Sequence, residues 1–229
     1  MLSSVSDSSP AGRPRAWARR RKLTGLVPIA ALLAGSLLFY YRQNYAGQIG
    51  GKMSVAKLLW LDYAVLAWFV LPLLLVLSPR VSPALRRVYG VHLASFAARG
   101  LAELWMLYVV VSWIPPYGIA HDLAHVVLVT LLARRTRNDP ASLRGAVDAA
   151  AFRFLTSLRV GLFCEMLFAW LFYRATGGKI GIYFASTDPV FSTINALTWA
   201  AVTFLVPDLL RTFWRCRDAL FPLRRDRAP

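Results

Sequence analysis

Six stretches of this sequence, about residues 23–41, 58–78, 91–113, 119–133, 154–173 and 190–206, are apolar over roughly the length a helix needs to cross a bilayer, the fourth being short. In lipid the backbone must satisfy its own N–H and C=O groups, so such stretches can span only as helices. The whole chain is 57% apolar and 17% charged with a mean hydropathy of +0.49, which leaves too little polar surface for a soluble domain of 229 residues. The expectation is an all-α integral membrane protein: a six-transmembrane-helix bundle over 23–210, preceded by a disordered basic tail at 1–22 and followed by a basic tail at 211–229. The first run follows Arg19-Arg20-Arg21-Lys22, as a signal peptide's would. It is nevertheless as long as a span, ends in Tyr40-Tyr41 and lacks a small-x-small cleavage site, so it reads as an uncleaved first helix.

The net charge of +16 is a topology signal, because the basic residues lie in the gaps between the apolar runs. A nucleic-acid-binding surface would need them on a folded polar face or among stacking aromatics, so no nucleic-acid partner is expected. Twenty of the 27 Lys and Arg residues fall before the first run, at 79–90, at 134–153 and after the sixth run. Five fall in the alternating set, at 42–57, 114–120 and 174–189. The richer set belongs on the cytoplasmic side, which places both termini there and makes the chain a multi-pass protein of the cell (inner) membrane. Cys164, in an apolar run, and Cys216, in the basic tail, form no disulfide framework and no metal knuckle.

Ionisable side chains inside a span are costly and turn towards the bundle interior, which makes each a candidate functional group. In the third run, at 100° per residue, Arg99 lies about 20° from His92 and Glu103 about 40° from Arg99, so the three share one stripe. Arg99 and Glu103, four apart, are placed to neutralise each other. The alternative is that Glu103 is an acid/base group held ionised by Arg99. In the fifth run Glu165 needs a partner from another helix or a proton, since Arg159, six residues away, points elsewhere. A weak internal echo links Arg99…Glu103 to Arg159…Glu165, with Gly118-Ile119…Asp122 matched by Gly181-Ile182…Asp188, the pattern of parallel repeated hairpins.

The densest signal is Tyr117-Gly118-Ile119-Ala120-His121-Asp122-Leu123-Ala124-His125, at the outer end of the fourth run. Two of the chain's three histidines stand four apart here, so their rings share a helical face and are spaced to hold a metal together. Asp122 is placed to orient a neighbour. Asp62, Glu103, Glu165 and Asp188 lie in spans or their outer margins, and His121, His125 and Asp62 are the candidate ligands of a divalent metal. Helix capping and interhelical hydrogen bonding account for the same residues without chemistry. Trp105, Tyr108, Trp113 and Tyr117 read as an interfacial belt rather than a cofactor cage. Asn195, Thr198 and Thr203 are placed to line a polar interior or simply to bond between helices.

No Walker loop, dinucleotide-binding glycine pattern, nucleophile elbow or zincin helix occurs, which leaves a nucleotide-driven pump or a soluble-type hydrolase without support. Glu103-Leu104-Trp105 and Asn195-Ala196-Leu197-Thr198-Trp199 resemble patches of the emopamil-binding sterol-isomerase superfamily, small helical membrane proteins with a mid-membrane Glu. Arg99 stands where that family has a histidine, four before the Glu. The resemblance covers only these patches, and no residue role is carried over from it.

The leading functional expectation is an intramembrane enzyme acting on a lipid or other hydrophobic substrate in a pocket towards the outer face. His121 and His125 would serve as ligands or bases, Asp122 as their orienter, and Glu103 and Glu165 as acid/base groups. The alternatives are a transporter or binding protein using the same residues as a path for a small molecule or ion, and a structural subunit of a membrane complex. The charge asymmetry generates a direct test. Reporter fusions after positions 50, 116 and 182 should report an external location and fusions after 84, 140 and 225 a cytoplasmic one; an internal signal at 116 would refute the six-span arrangement.

Overall fold

In the computed structural model the described residues are 55–139, 143, 145–177 and 189–220; the first apolar run, the N-terminal tail, Asp188 and 221–229 lie outside them, whereas the first half of the expected C-terminal tail, 211–220, is helical. Among the described residues all regular structure is helical. We label the elements α1 (Val55–Leu77, π-helical over Leu66–Val70), α2 (Pro83–Val109), α3 (Ile114–Arg137), α4 (Ala146–Thr176) and α5 (Pro189–Leu220), with a short 3₁₀ turn at Val111–Trp113 between α2 and α3. They correspond to the second to sixth apolar runs. Most are longer than those runs because amphipathic turns continue them: α5 reaches Leu220, well past 206, burying Leu209, Phe213, Cys216 and Leu220 while Arg211 and Arg215 stay exposed.

Among the described residues four helices are long and apolar enough to cross a membrane: Val55–Leu77, Val111–Arg137 (α3 with the preceding turn), Ala146–Thr176 and Ser192–Leu220 of α5. α2 is not among them, since it carries Arg86, Arg87, His92, Arg99 and Glu103. Its C-terminal half nonetheless presents apolar side chains to the surroundings, Leu101 at 71% exposure among them, while α5 presents Phe204 at 77%. An apolar surface of this extent is costly in water and neutral in hydrocarbon, as a membrane protein requires.

The helices pack in chain order into a closed ring, α5 returning to α1. One end of the ring gathers the 78–82 loop, the start of α4 and the end of α5. There Ser78 Oγ donates to Ala219 O (2.9 Å), and the Ser82 N–H donates to Asp148 Oδ1 (2.9 Å). Ser82 also caps α2, with Pro83 at the first helical position. Successive helices therefore run in alternating directions.

The core between them contains Leu71, Leu75, Leu85, Phe154, Leu155, Leu158 and Leu162, all essentially inaccessible. Its two buried phenols find main-chain acceptors on α4: Tyr63 donates to Ser157 O (3.1 Å) and Tyr89 to Ala151 O (2.7 Å). Close approach of α1 and α4 depends on Gly161, where a Cβ would sit 2.7 Å from the Tyr63 hydroxyl and 2.9 Å from its ring. Tyr63 is buried and cannot swing away, so Gly161→Ala should lower stability in detergent by about 1–3 kcal/mol. Gly100→Ala, whose Cβ meets nothing within 4 Å, should leave the melting temperature unchanged or raise it. Equal melting of the two variants would show that this contact does not set the helix spacing.

Candidate functional site

α2 and α3 run antiparallel in a register that pairs the two polar stripes residue by residue. His92 faces His125, Ser95 faces His121, and Arg99 faces Gly118 and Asp122. The Arg99 guanidinium is the centre of the array. Its Nε donates to Glu103 Oε1 and its Nη1 to Asp122 Oδ1, both at 2.6 Å. Gly118 makes room for it, since a Cβ there would lie 2.9 Å from Arg99 Nη2. The neutralisation of Arg99 by Glu103 read from the sequence is present, and Asp122 is a second partner, where that reading had it orienting a neighbour or capping its helix. One cation between two carboxylates leaves one formal negative charge.

The histidines continue the array. His121 and His125 lie parallel on α3, ring centroids 5.6 Å apart and planes within 9°. Phe96, one turn from both His92 and Arg99 on α2, is buried and packs its ring against all three histidine rings. His121 Nδ1 lies 3.1 Å from Asp122 Oδ1 and therefore carries a hydrogen towards it. Its Nε2 stands 2.9 Å from Ser95 Oγ and 3.2 Å from Ser95 O. A bare Nε2 accepts from the hydroxyl, and a protonated one donates to the carbonyl, so both states find a partner.

The His92 tautomer follows from α1. Pro72 has no N–H for the carbonyl four residues back, and that oxygen, Trp68 O, accepts from His92 Nε2 at 2.8 Å. A neutral His92 then accepts at Nδ1 from His125 Nε2–H, also at 2.8 Å, which leaves His125 Nδ1 as a bare acceptor. His125 Nδ1 and Asp122 Oδ2 are both buried without a hydrogen-bond partner, three residues apart on one side of α3. A water, a proton or a cation would satisfy them. Among the described residues no set of three or more His, Cys, Asp or Glu side chains is arranged to hold a metal. Asp62 is buried in α1 and is not brought into such a set with His121 and His125.

On the other side of Arg99 the helices line an open cavity of about 440 Å³ to which all five contribute. Its polar wall is Lys57, Arg99, Glu103 and Glu165; its apolar wall includes Trp60, Trp68, Phe168 and Phe172. Trp60 Nε1 donates to Glu165 Oε2 (3.0 Å), the partner from another helix that Glu165 needed. Trp60 in turn packs edge-on against Phe168 and Trp68.

Neither a protein-family model, nor a curated protein, nor a solved structure matches this chain.

Of the sequence-derived candidates, Glu103 and Glu165 line the cavity, while His121, Asp122 and His125 stand behind Arg99. Trp105, Tyr108 and Trp113 point away from the bundle, at 63%, 86% and 64% exposure. The aromatic residues that matter to the site, Trp60, Trp68, Phe96 and Phe168, carried no signal beyond being apolar. Arg159 bonds Leu155 O, Thr130 and Thr156 instead of a carboxylate, so its setting differs from that of Arg99. Thr198 lines the cavity, whereas Thr203 is exposed and bonds the Trp199 carbonyl.

The shared cation predicts non-additive energetics. Glu103→Gln or Asp122→Asn leaves Arg99 one carboxylate, so each alone should cost about 1 kcal/mol, whereas the double variant strands a buried guanidinium and should cost about 3–5 kcal/mol in total, more than the sum of the singles. Thermal unfolding of the four proteins in detergent measures the coupling. Simple additivity would show that the two carboxylates do not depend on one arginine.

Proposed function

We propose that this chain is a six-span protein of the cell (inner) membrane with both termini in the cytoplasm, and that it is an intramembrane enzyme acting on a lipid or other hydrophobic molecule held in the central cavity. The supporting observation is the cavity wall, which sets two carboxylates and a guanidinium against aromatic rings, with the volume and mixed lining of a small-molecule site. Such a wall suits a molecule with a long apolar body and one polar end. Glu165, positioned by Trp60, and Glu103, positioned by Arg99, are the groups that would exchange protons with that end. Asp122 holds Arg99 from behind, and His121, His125 and His92 extend the hydrogen-bonded array away from the cavity.

A second reading, a transporter or binding protein, is favoured by that extension, because polar side chains running on from a cavity serve a proton path as readily as a reaction. Comparing the extractable lipids of cells carrying the parent, no copy, or Glu165→Gln distinguishes the two. The enzyme reading expects one hydrophobic species to accumulate without the protein and again with Glu165→Gln. Ala169→Trp, which fills the cavity wall, should do the same. Identical lipid profiles in all strains, with an undisturbed fold of the variants, would refute catalysis on a cellular lipid.

A further inference from the structure

A second opening, of about 860 Å³, lies at the other end of the ring, between the end of α1, the start of α2 and the end of α3. Arg86, Arg87 and Arg135 line it, against one carboxylate, Asp139. None of the three arginines takes part in an ion pair among the described residues, and Arg86 Nε is buried with no hydrogen-bond partner. A buried guanidinium N–H without an acceptor is costly, and the planar fork of arginine matches the paired oxygens of a phosphate. The start of α2, a 27-residue helix, adds the partial positive charge of its N-terminus. Apart from Thr136 the remaining side chains of the wall are apolar, Val76, Val91 and Leu132 among them, and the adjoining Leu77 and Leu131 are exposed to the surroundings. A molecule seated here meets cations at one end and hydrocarbon at the other.

We propose that this groove binds an anionic phospholipid, the phosphate on Arg86, Arg87 and Arg135 and an acyl chain along Val91 and Leu132. A basic pocket between helices at the membrane boundary suits this class of ligand. The site is separate from the central cavity and does not depend on its function.

Full-length protein in dodecyl maltoside, titrated with phosphatidylglycerol, with phosphatidylcholine and with inorganic phosphate, tests this by thermal stability and by bound-lipid peaks in native mass spectrometry. Phosphatidylglycerol should stabilise the parent more than phosphatidylcholine does, and Arg86→Gln and Arg135→Gln should each weaken its apparent affinity about fivefold. Arg134→Gln, which removes the same charge from an exposed neighbour outside the groove, should leave affinity unchanged. If Arg86→Gln does not fold, Arg86→Lys retains the charge without the fork, and Leu132→Trp occupies the apolar wall without altering charge. Both should weaken binding. Equal weakening by Arg134→Gln, or no preference for the anionic lipid, would overturn the site, and equal stabilisation by inorganic phosphate would overturn the lipid assignment.

Discussion

A guanidinium inside a helix bundle that crosses lipid must be neutralised where it stands, and Arg99 is neutralised by a carboxylate from its own helix and another from the next. The first partner, Glu103, follows from four-residue spacing. The second, Asp122, requires α3 to lie against α2 in one register, because a shift of a single turn would take the carboxylate out of reach and put a side chain where Gly118 now leaves space. That register also fixes His121 against Ser95 and His125 against His92. The ion cluster thus specifies the packing of two helices that apolar contacts alone would hold in several alignments.

The same constraint explains the uneven character of α2. This helix is too polar to count by itself among the apolar spans, yet the polar groups midway along it find partners within the ring: Arg99 on α3, His92 on both α3 and the Trp68 carbonyl of α1. Pro72 contributes by omission, since its missing N–H leaves an acceptor that His92 takes. Neighbouring helices therefore supply the polar environment that hydrocarbon withholds, and the exposed side chains on the C-terminal half of α2 are apolar or amphipathic aromatic.

The ring separates two kinds of polar chemistry. Towards the start of α1, carboxylates, Lys57 and Arg99 face aromatic rings in a cavity shared by five helices. At the opposite end, unpaired arginines border an apolar groove open to the surroundings. Acidic groups buried among aromatics suit proton exchange with a mostly apolar molecule. Arginines at a boundary suit a fixed phosphate. Both linings combine charged groups with an apolar wall, on different sides of the ring.

Helical structure, the approximate places of the second to sixth helices and the stripe of His92, Arg99 and Glu103 were legible from the sequence, because each depends on local hydropathy or on the 3.6-residue period. The pairing of Arg99 with Glu103 and the stacking of His121 on His125 are likewise one-turn relations. Helix ends were less legible: α5 runs on to Leu220 because its amphipathic last turns bury Phe213 and Cys216, which average hydropathy does not register. Which carboxylate completes the Arg99 cluster, which carbonyl binds His92, and which of many tryptophans meets Glu165 were decided only by tertiary structure. These contacts join residues 23 to 105 positions apart, and no periodicity within a helix encodes how one helix is rotated and shifted against another.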